Sequence, residues 1–333
     1  MRFGLALPHY DFSGPDAGPV TFERLRDLAQ HAERLGFSSV WISDHFFLRL
    51  TRYGGGPEVH GSAEPMVSLA GLAMVTERIR LGTLVLCSAF RHPGIVAKMA
   101  TAVGLLSGGR LDLGIGAGWY QEEYDAFGYP FGSVGDRFEV LEETFQVLGL
   151  LFGDGPASFQ GKHFRLDGAY NRPAPEVRPP VWLGAKGGPR ALRLAARRAD
   201  GWNTVWRWTA ADYAERVDEA RRICEQVGRD PTSLRRSVGL YALVGEDPAD
   251  LASRYAAMQR WAPGGVIDAV SLEEWATGAL VGTPEEVRGT VAQFEELGVE
   301  ELIVSLGPLP FSVYDRSAMD AFAETVVVGA TSP

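Results

Sequence analysis

The chain has 333 residues, 46% of them hydrophobic and 22% charged, an ordinary globular composition able to bury a large core. Its formal charge of -10, from 42 acidic against 32 basic residues, leaves no basic stripe and points away from a nucleic-acid partner.

Strand-like and helix-like runs alternate almost throughout. Phe3 to Leu7 reads as a strand, and Thr21 caps a helix that Gly36 stops. Further strands follow at Ser39 to Ile42 and Arg80 to Leu86, with helices at Pro65 to Thr76 and Pro93 to Leu106. Leu111 to Ile115 is the fourth strand, and Asp136-x-x-Glu139 has capping-box spacing for the helix that comes after it. Val181 to Gly184, Gly201 to Val205, Ser237 to Val244 and Glu301 to Ser305 complete eight strands. Helices are read at Gly188 to Arg198, Ala210 to Val227, Thr283 to Gly298 and Asp315 to about Val326.

Apolar rather than alternating strands imply a parallel sheet covered by helices. Eight such units predict an α/β protein of (β/α)8 TIM-barrel architecture, one domain over residues 1–333, with a doubly wound open sheet as the alternative. Two segments break the rhythm, a Pro/Gly-rich insertion at 153–180 with a hairpin over Ser158 to Leu166, and an irregular stretch at 260–282. No run of roughly 18 apolar residues spans a membrane, and the apolar part of the N-terminus is too short for a signal peptide. Cys87 and Cys224 have neither zinc nor disulfide spacing, which fits a reducing cytoplasm.

In barrels the chemistry lies at the C-terminal strand ends. Here those ends are rich in glycine and aromatic residues and poor in carboxylates, which suits a large planar cofactor. The six histidines are scattered, so no metal site is read. Gly187-Gly188-Pro189 before a helix, beside Lys186, is a phosphate site by physics. Gly114-Ile115-Gly116-Ala117-Gly118 departs from the dinucleotide fingerprint in spacing, and no helix opens at its last glycine. Its glycines are read as clearing room for a ring system.

Several pieces in order resemble the bacterial luciferase-like superfamily of flavin and deazaflavin oxidoreductases. They are Ser43-Asp44-His45, Leu81 to Leu86 running on to Arg91-His92-Pro93, Gly109 to Trp119, Leu183 to Gly188, Ala199 to Asn203 and Val281 to Val287. The resemblance is strongest to the branch that uses coenzyme F420, a deazaflavin and obligate hydride carrier; FMN is the alternative cofactor. It implies a (β/α)8 barrel with an insertion before the fifth strand, usually a homodimer, and a non-prolyl cis peptide at Leu84–Val85 behind the cofactor ring. On this resemblance the cofactor-binding residues are Asp44, Leu84, Val85, Gly116, Ala117, Gly118, Ala185, Lys186, Gly187 and Gly188. His45 matches a position used for acid/base work, and His9, also at the mouth, is the second catalytic candidate. The family's sugar-phosphate dehydrogenases carry a Glu where this chain has Trp119, which argues against that activity.

The implied function is hydride transfer between F420 and a small organic, apolar substrate, with a flavin or F420 reductase as a possible partner. An FMNH2-dependent monooxygenase fed by a separate reductase is the alternative. A non-catalytic flavin-binding barrel and a metal hydrolase rank below both. Phe46, Phe47, Tyr53, Trp206, Trp208 and Trp261 are candidate substrate contacts.

Overall fold

In a computed structural model that describes residues 1–16 and 18–327, eight parallel strands close into a barrel. They are β1 (Arg2–Ala6), β2 (Ser39–Ile42), β3 (Arg80–Thr83), β4 (Leu111–Gly116), β5 (Val181–Gly184), β6 (Gly201–Trp206), β7 (Arg235–Val244) and β8 (Glu301–Ser305). Each pairs with the next in chain order, and β8 returns to β1 in the register Arg2–Glu301 to Leu5–Val304. Closure decides against the open sheet. The expected domain boundary at residue 333 lies outside the described residues.

Two apolar layers follow from the closure. Leu5, Val40, Leu81, Leu113, Leu183 and Val304 face outward into the helix-covered core. Ala6, Trp41, Leu84, Trp182 and Ile303 fill the barrel interior, with Trp41 and Trp182 edge to face at 6.4 Å. Below them the polar groups are paired: Trp182 Nε1 donates to Asp112 (3.0 Å), which also takes Arg80 (2.5 Å), and Trp41 Nε1 donates to Ser39 (2.7 Å).

The outer helices are α1 (Phe22–Arg34), α2 (Pro65–Ala73), α3 (Pro93–Ser107), α4 (Gln121–Phe127), α5 (Val134–Leu151), α6 (Pro189–Arg198), α7 (Ala210–Gln226), α8 (Pro248–Trp261), α9 (Leu272–Ala276), α10 (Pro284–Glu296) and α11 (Arg316–Phe322). Thr21 caps α1, and Thr283 with Glu286 forms the box of α10 as the spacing predicts. The box of α5 is displaced by one turn: Ser133 is the cap and Asp136 its partner, while Glu139 binds Lys162 (2.7 Å) instead.

The insertion at 153–180 contains the expected hairpin, Ala157–Gln160 against Arg165–Ala169. Residues 260–282 are more ordered than the sequence reading has them. They hold the end of α8, α9, and a strand Leu280–Gly282 alongside β7. A second small hairpin, Phe47–Arg49 against Val59–Gly61, follows β2. Among the described residues no helix is long and apolar enough to cross a membrane.

Candidate active site

The C-terminal ends of β3, β4 and β5 form one side of the barrel mouth. The strand begun at Arg80 breaks after Thr83 and resumes at Leu86–Cys87, with a non-prolyl cis peptide at Leu84–Val85. Leu84 is buried and Val85 is half-buried. A Cβ at Gly114 would lie 2.1 Å from the Thr83 carbonyl oxygen, and one at Gly116 or Gly184 would lie 2.7 or 2.6 Å from Val85 methyls. These glycines therefore accommodate the Val85 bulge from below. The sequence reading has the glycines of the strand-four motif clearing room for a ring; at Gly114 and Gly116 the space beside the backbone is occupied by Thr83 and Val85. Gly118 (φ 75°) lies against the Tyr124 hydroxyl and Cys87, and Ala117 accepts from Tyr124 (3.1 Å). Cys87 Sγ is 3.0 Å from Tyr124, and burial pushes its thiol up to about 12.

The end of β2 carries the polar groups. Asp44 is buried and fully engaged: it takes Arg91 on both oxygens (2.6 and 2.9 Å) and the Cys87 N–H (2.9 Å). Burial pulls the Arg91 guanidinium down, but Asp44 and Glu64 outweigh it and hold the pKa above the usual value. His45 Nδ1 is 2.8 Å from Glu123 Oε2. Glu123, on α4, is only 1% exposed, and its Oε1 accepts the backbone N–H groups of Phe46 and Phe47. His45 thus has one nitrogen anchored, while Nε2 has no partner among the described residues. Sequence reasoning missed Glu123. Its only mark is an acid four residues past Trp119, where nothing in the spacing tells a buried anchor from the exposed Glu122 beside it.

His9 is completely buried. Its Nδ1 donates to the Leu7 carbonyl (2.8 Å) and its Nε2 lies 2.9 Å from Ser43 Oγ, which lies 2.7 Å from Tyr10 Oη. Burial, partly opposed by the Leu7 carbonyl and helped by His45, lowers its pKa to about 3, so the ring is neutral. A carbonyl can only accept, so Nε2 accepts from Ser43 and Tyr10 donates to Ser43. Of the two catalytic candidates, His45 keeps a nitrogen available and His9 does not.

Ala185–Gly188 leads into α6. Gly188 is the N-cap with no side-chain cap bond, and Pro189 occupies the first turn. The early amides of the helix are uncommitted, and Lys186 Nζ lies 5.2 Å over the Trp208 ring beside them. Arg190, on the same turn, is drawn away to Glu142 (2.7 and 3.0 Å).

The opposite side of the mouth is aromatic. Trp206 lies 5.7 Å from Tyr241 and 5.4 Å from Phe311, which reaches His9 at 4.9 Å. Trp119 stands 5.5 Å from His45 under the Arg52 guanidinium (4.3 Å). Phe46, a candidate substrate contact, instead packs against Phe90 and Phe127 at 4.7 and 4.1 Å. Trp208 donates to Thr204 (3.1 Å), and Trp261 is half-buried against the helix-side core. A cavity of about 540 Å³ opens beside Tyr53, Arg207, Tyr241, Trp275 and Leu309. A larger one, about 720 Å³, lies between α1, α2 and the loops at Asp11 and Gly61, where Asp11 is already bound to His60 and Gly61 (2.9 Å each).

A family model described as luciferase-like monooxygenase matches residues 1–301. The F420-dependent hydroxymycolic acid dehydrogenase of Mycobacterium tuberculosis is 31% identical over 319 residues, covering 92% of this chain and 81% of that enzyme. The F420-dependent glucose-6-phosphate dehydrogenase of Nakamurella multipartita is 38% identical over 208 residues, 62% of this chain and 56% of that enzyme. Among solved structures, an F420-dependent secondary alcohol dehydrogenase in complex with an F420-acetone adduct superposes with a TM-score of 0.77 at 21% identity, covering 98% of each chain. That last likeness is one of fold.

Proposed function

The chain belongs to the luciferase-like monooxygenase family, and we propose that it is an F420-dependent oxidoreductase moving a hydride between the deazaflavin and a small organic, mostly apolar substrate. The observation that carries the reading is the pairing of two features on one side of the mouth. Val85 offers a half-exposed apolar shelf to a flat ring, and the uncapped N-terminus of α6 with Lys186 offers free donors to a phosphate. The residues present fit the cofactor at both ends.

When bound, the deazaflavin supplies a carbon that carries hydride and reacts poorly with oxygen. The chain's own part is to position and to move a proton. Leu84, Val85, Gly116, Ala117 and Gly118 form the shelf and its support. Ala185, Lys186, Gly187 and Gly188 hold the phosphate-bearing tail. Asp44, locked to Arg91, fixes the loop after β2. His45, with Nδ1 tied to Glu123, presents Nε2 to hold or release the proton that accompanies hydride transfer. His9 supports the wall through Ser43 and stays neutral at neutral pH. Trp119 removes the acid used on sugar phosphates and favours an apolar substrate.

We further read the assembly as a homodimer. Val67 on α2, Met74 at its end, and Ile95, Leu105 and Leu106 on α3 are exposed apolar residues on neighbouring helices. A separate reductase would recycle the cofactor, and two free, buried cysteines suit a reducing cytoplasm.

A binding titration separates the cofactors. F420 is expected to bind in the micromolar range or tighter, and FMN more weakly. Tight FMN binding with no response to F420 would overturn the reading in favour of the reduced-FMN monooxygenase.

A further inference from the structure

The cavity on the β6–β8 side of the mouth has an unusual polar inventory. Tyr53, Tyr241 and Arg207 line it, and an aliphatic wall of Val266, Ile267 and Leu309 faces them. Tyr241 is 5% exposed, yet neither its hydroxyl nor that of Tyr53 has a hydrogen-bond partner among the described residues. Arg207 is held rigidly, with Nη1 donating to the Trp275 and Thr277 carbonyls (2.5 and 2.9 Å) and the guanidinium 5.0 Å from the Tyr241 ring. Its Nε and Nη2 have no partner among the described residues. Trp275, 1% exposed, has an unpaired indole N–H as well.

The groups available in the chamber are therefore mainly donors. Its carboxylates do not balance them: Asp212 and Glu274 are exposed, and Asp212 already accepts from Thr209 at the start of α7. Burial pushes the Tyr241 phenol well above its ordinary pKa and the Tyr53 phenol up to about 12, so both remain protonated donors. A ligand that satisfies such a site is flat enough to lie between aromatic faces and carries an acceptor oxygen with no proton of its own.

We propose that this chamber is the substrate pocket and that it recognises a planar conjugated carbonyl compound, whose oxygen accepts from Tyr241 and Arg207. The inference rests on the hydride-transfer reading above. Hydride from the reduced deazaflavin adds to the carbonyl carbon or the conjugated β-carbon, and the π pair moves onto oxygen. Tyr241 and Arg207 stabilise the oxyanion as it forms. A solvent proton relayed by His45 then completes a two-electron reduction of the substrate as the cofactor is oxidised.

Three flat probes of similar size test the idea by tryptophan fluorescence titration of the intact protein: trans-cinnamaldehyde, trans-β-methylstyrene and cinnamate. The aldehyde should bind at least about tenfold tighter than the hydrocarbon. Tyr241→Phe and Arg207→Gln should each weaken the aldehyde by about tenfold, leave the hydrocarbon within about twofold, and leave F420 affinity unchanged. Equal binding of aldehyde and hydrocarbon, or affinity indifferent to both variants, overturns the proposal. Preference for cinnamate over the aldehyde, lost in Arg207→Gln, also overturns it, because the chamber is then an anion site. If the aldehyde pattern holds while F420 fails to bind, the chamber stands and the cofactor reading falls.

Discussion

Across the mouth, Val85 lies over Gly114, Gly116 and Gly184, whereas Trp206 passes over Gly239 and is held by the rings of Tyr241 and Phe311. The first side is shaped largely by backbone, since Gly114, Gly116 and Gly184 contribute only the absence of a side chain. The second also has a non-prolyl cis peptide, Val205–Trp206, over a glycine, but adds large side chains such as Tyr241, Phe311 and Arg207 that can be exchanged one at a time. A site that must take one unchanging cofactor and a variable substrate is served by that division. The shelf is hard to alter, and the chamber is easy to alter.

The largest effect that tests this contrast is expected at Gly114. Gly114→Ala places a methyl 2.1 Å from a backbone oxygen that cannot swing away, and should lower stability by about 3 kcal/mol or more, read from the urea midpoint. Tyr241→Phe, in the chamber, should cost less than about 1 kcal/mol in the same measurement. Comparable losses in the two variants would break the comparison.

His45 sits at the boundary between the sides. His45→Gln should reduce kcat about 100-fold while F420 affinity stays within about twofold. Glu123→Gln leaves an amide oxygen for the Phe46 and Phe47 N–H groups but faces Nδ1 with a donor, so kcat should fall while F420 affinity is kept. Unchanged kcat in both variants would remove His45 from the proton path.

Beside Phe311, His9 gives a pH signature. Its folded pKa of about 3 lies below the ordinary value of 6.5, so the unfolded chain binds the extra proton first. Its contribution is fully present above pH 6.5 and falls away as the pH drops toward 3. Between pH 6.5 and 5 the loss should be about 2 kcal/mol, and His9→Gln should flatten that slope in denaturant titrations. The smallest expected effect is on the shelf side. Burial holds the Lys186 pKa below the usual lysine value, and Lys186→Ala should weaken F420 about tenfold, by less at high salt.

Most of the barrel was legible because each strand is an apolar run bounded by turn residues. All eight fall where the pattern places them, although the third splits where the bulge begins at Leu84. The hairpin after α5 and the turn before α6 were legible from local turn chemistry. The box of α5 was misplaced because Ser133-x-x-Asp136 and Asp136-x-x-Glu139 have the same spacing, and only the draw of Lys162 on Glu139 separates them. α9 went unread because Pro263, Gly264, Gly265 and Gly278 break up its stretch; α8 was missed although Asp247 and Pro248 mark its start, and both are ordered by packing such as Tyr255 against Trp275 (5.8 Å). In the site, His45 could be named from its motif. The burial of Glu123, the locking of Asp44 and the sealing of His9 depend on which groups meet across the barrel, and one sequence does not carry that.

The chain of bonds from Tyr10 through Ser43 to His9 runs in one direction and stops at the Leu7 carbonyl. For protons it is a blind alley, since its last hydrogen is pinned to an amide oxygen and no second donor can refill it from below. The His9–Ser43–Tyr10 chain itself offers a ligand no exchangeable hydrogen, in contrast to the donors of the chamber. Protons cannot pass along this chain, so the proposed reaction leaves them to His45 and to the donors of the chamber.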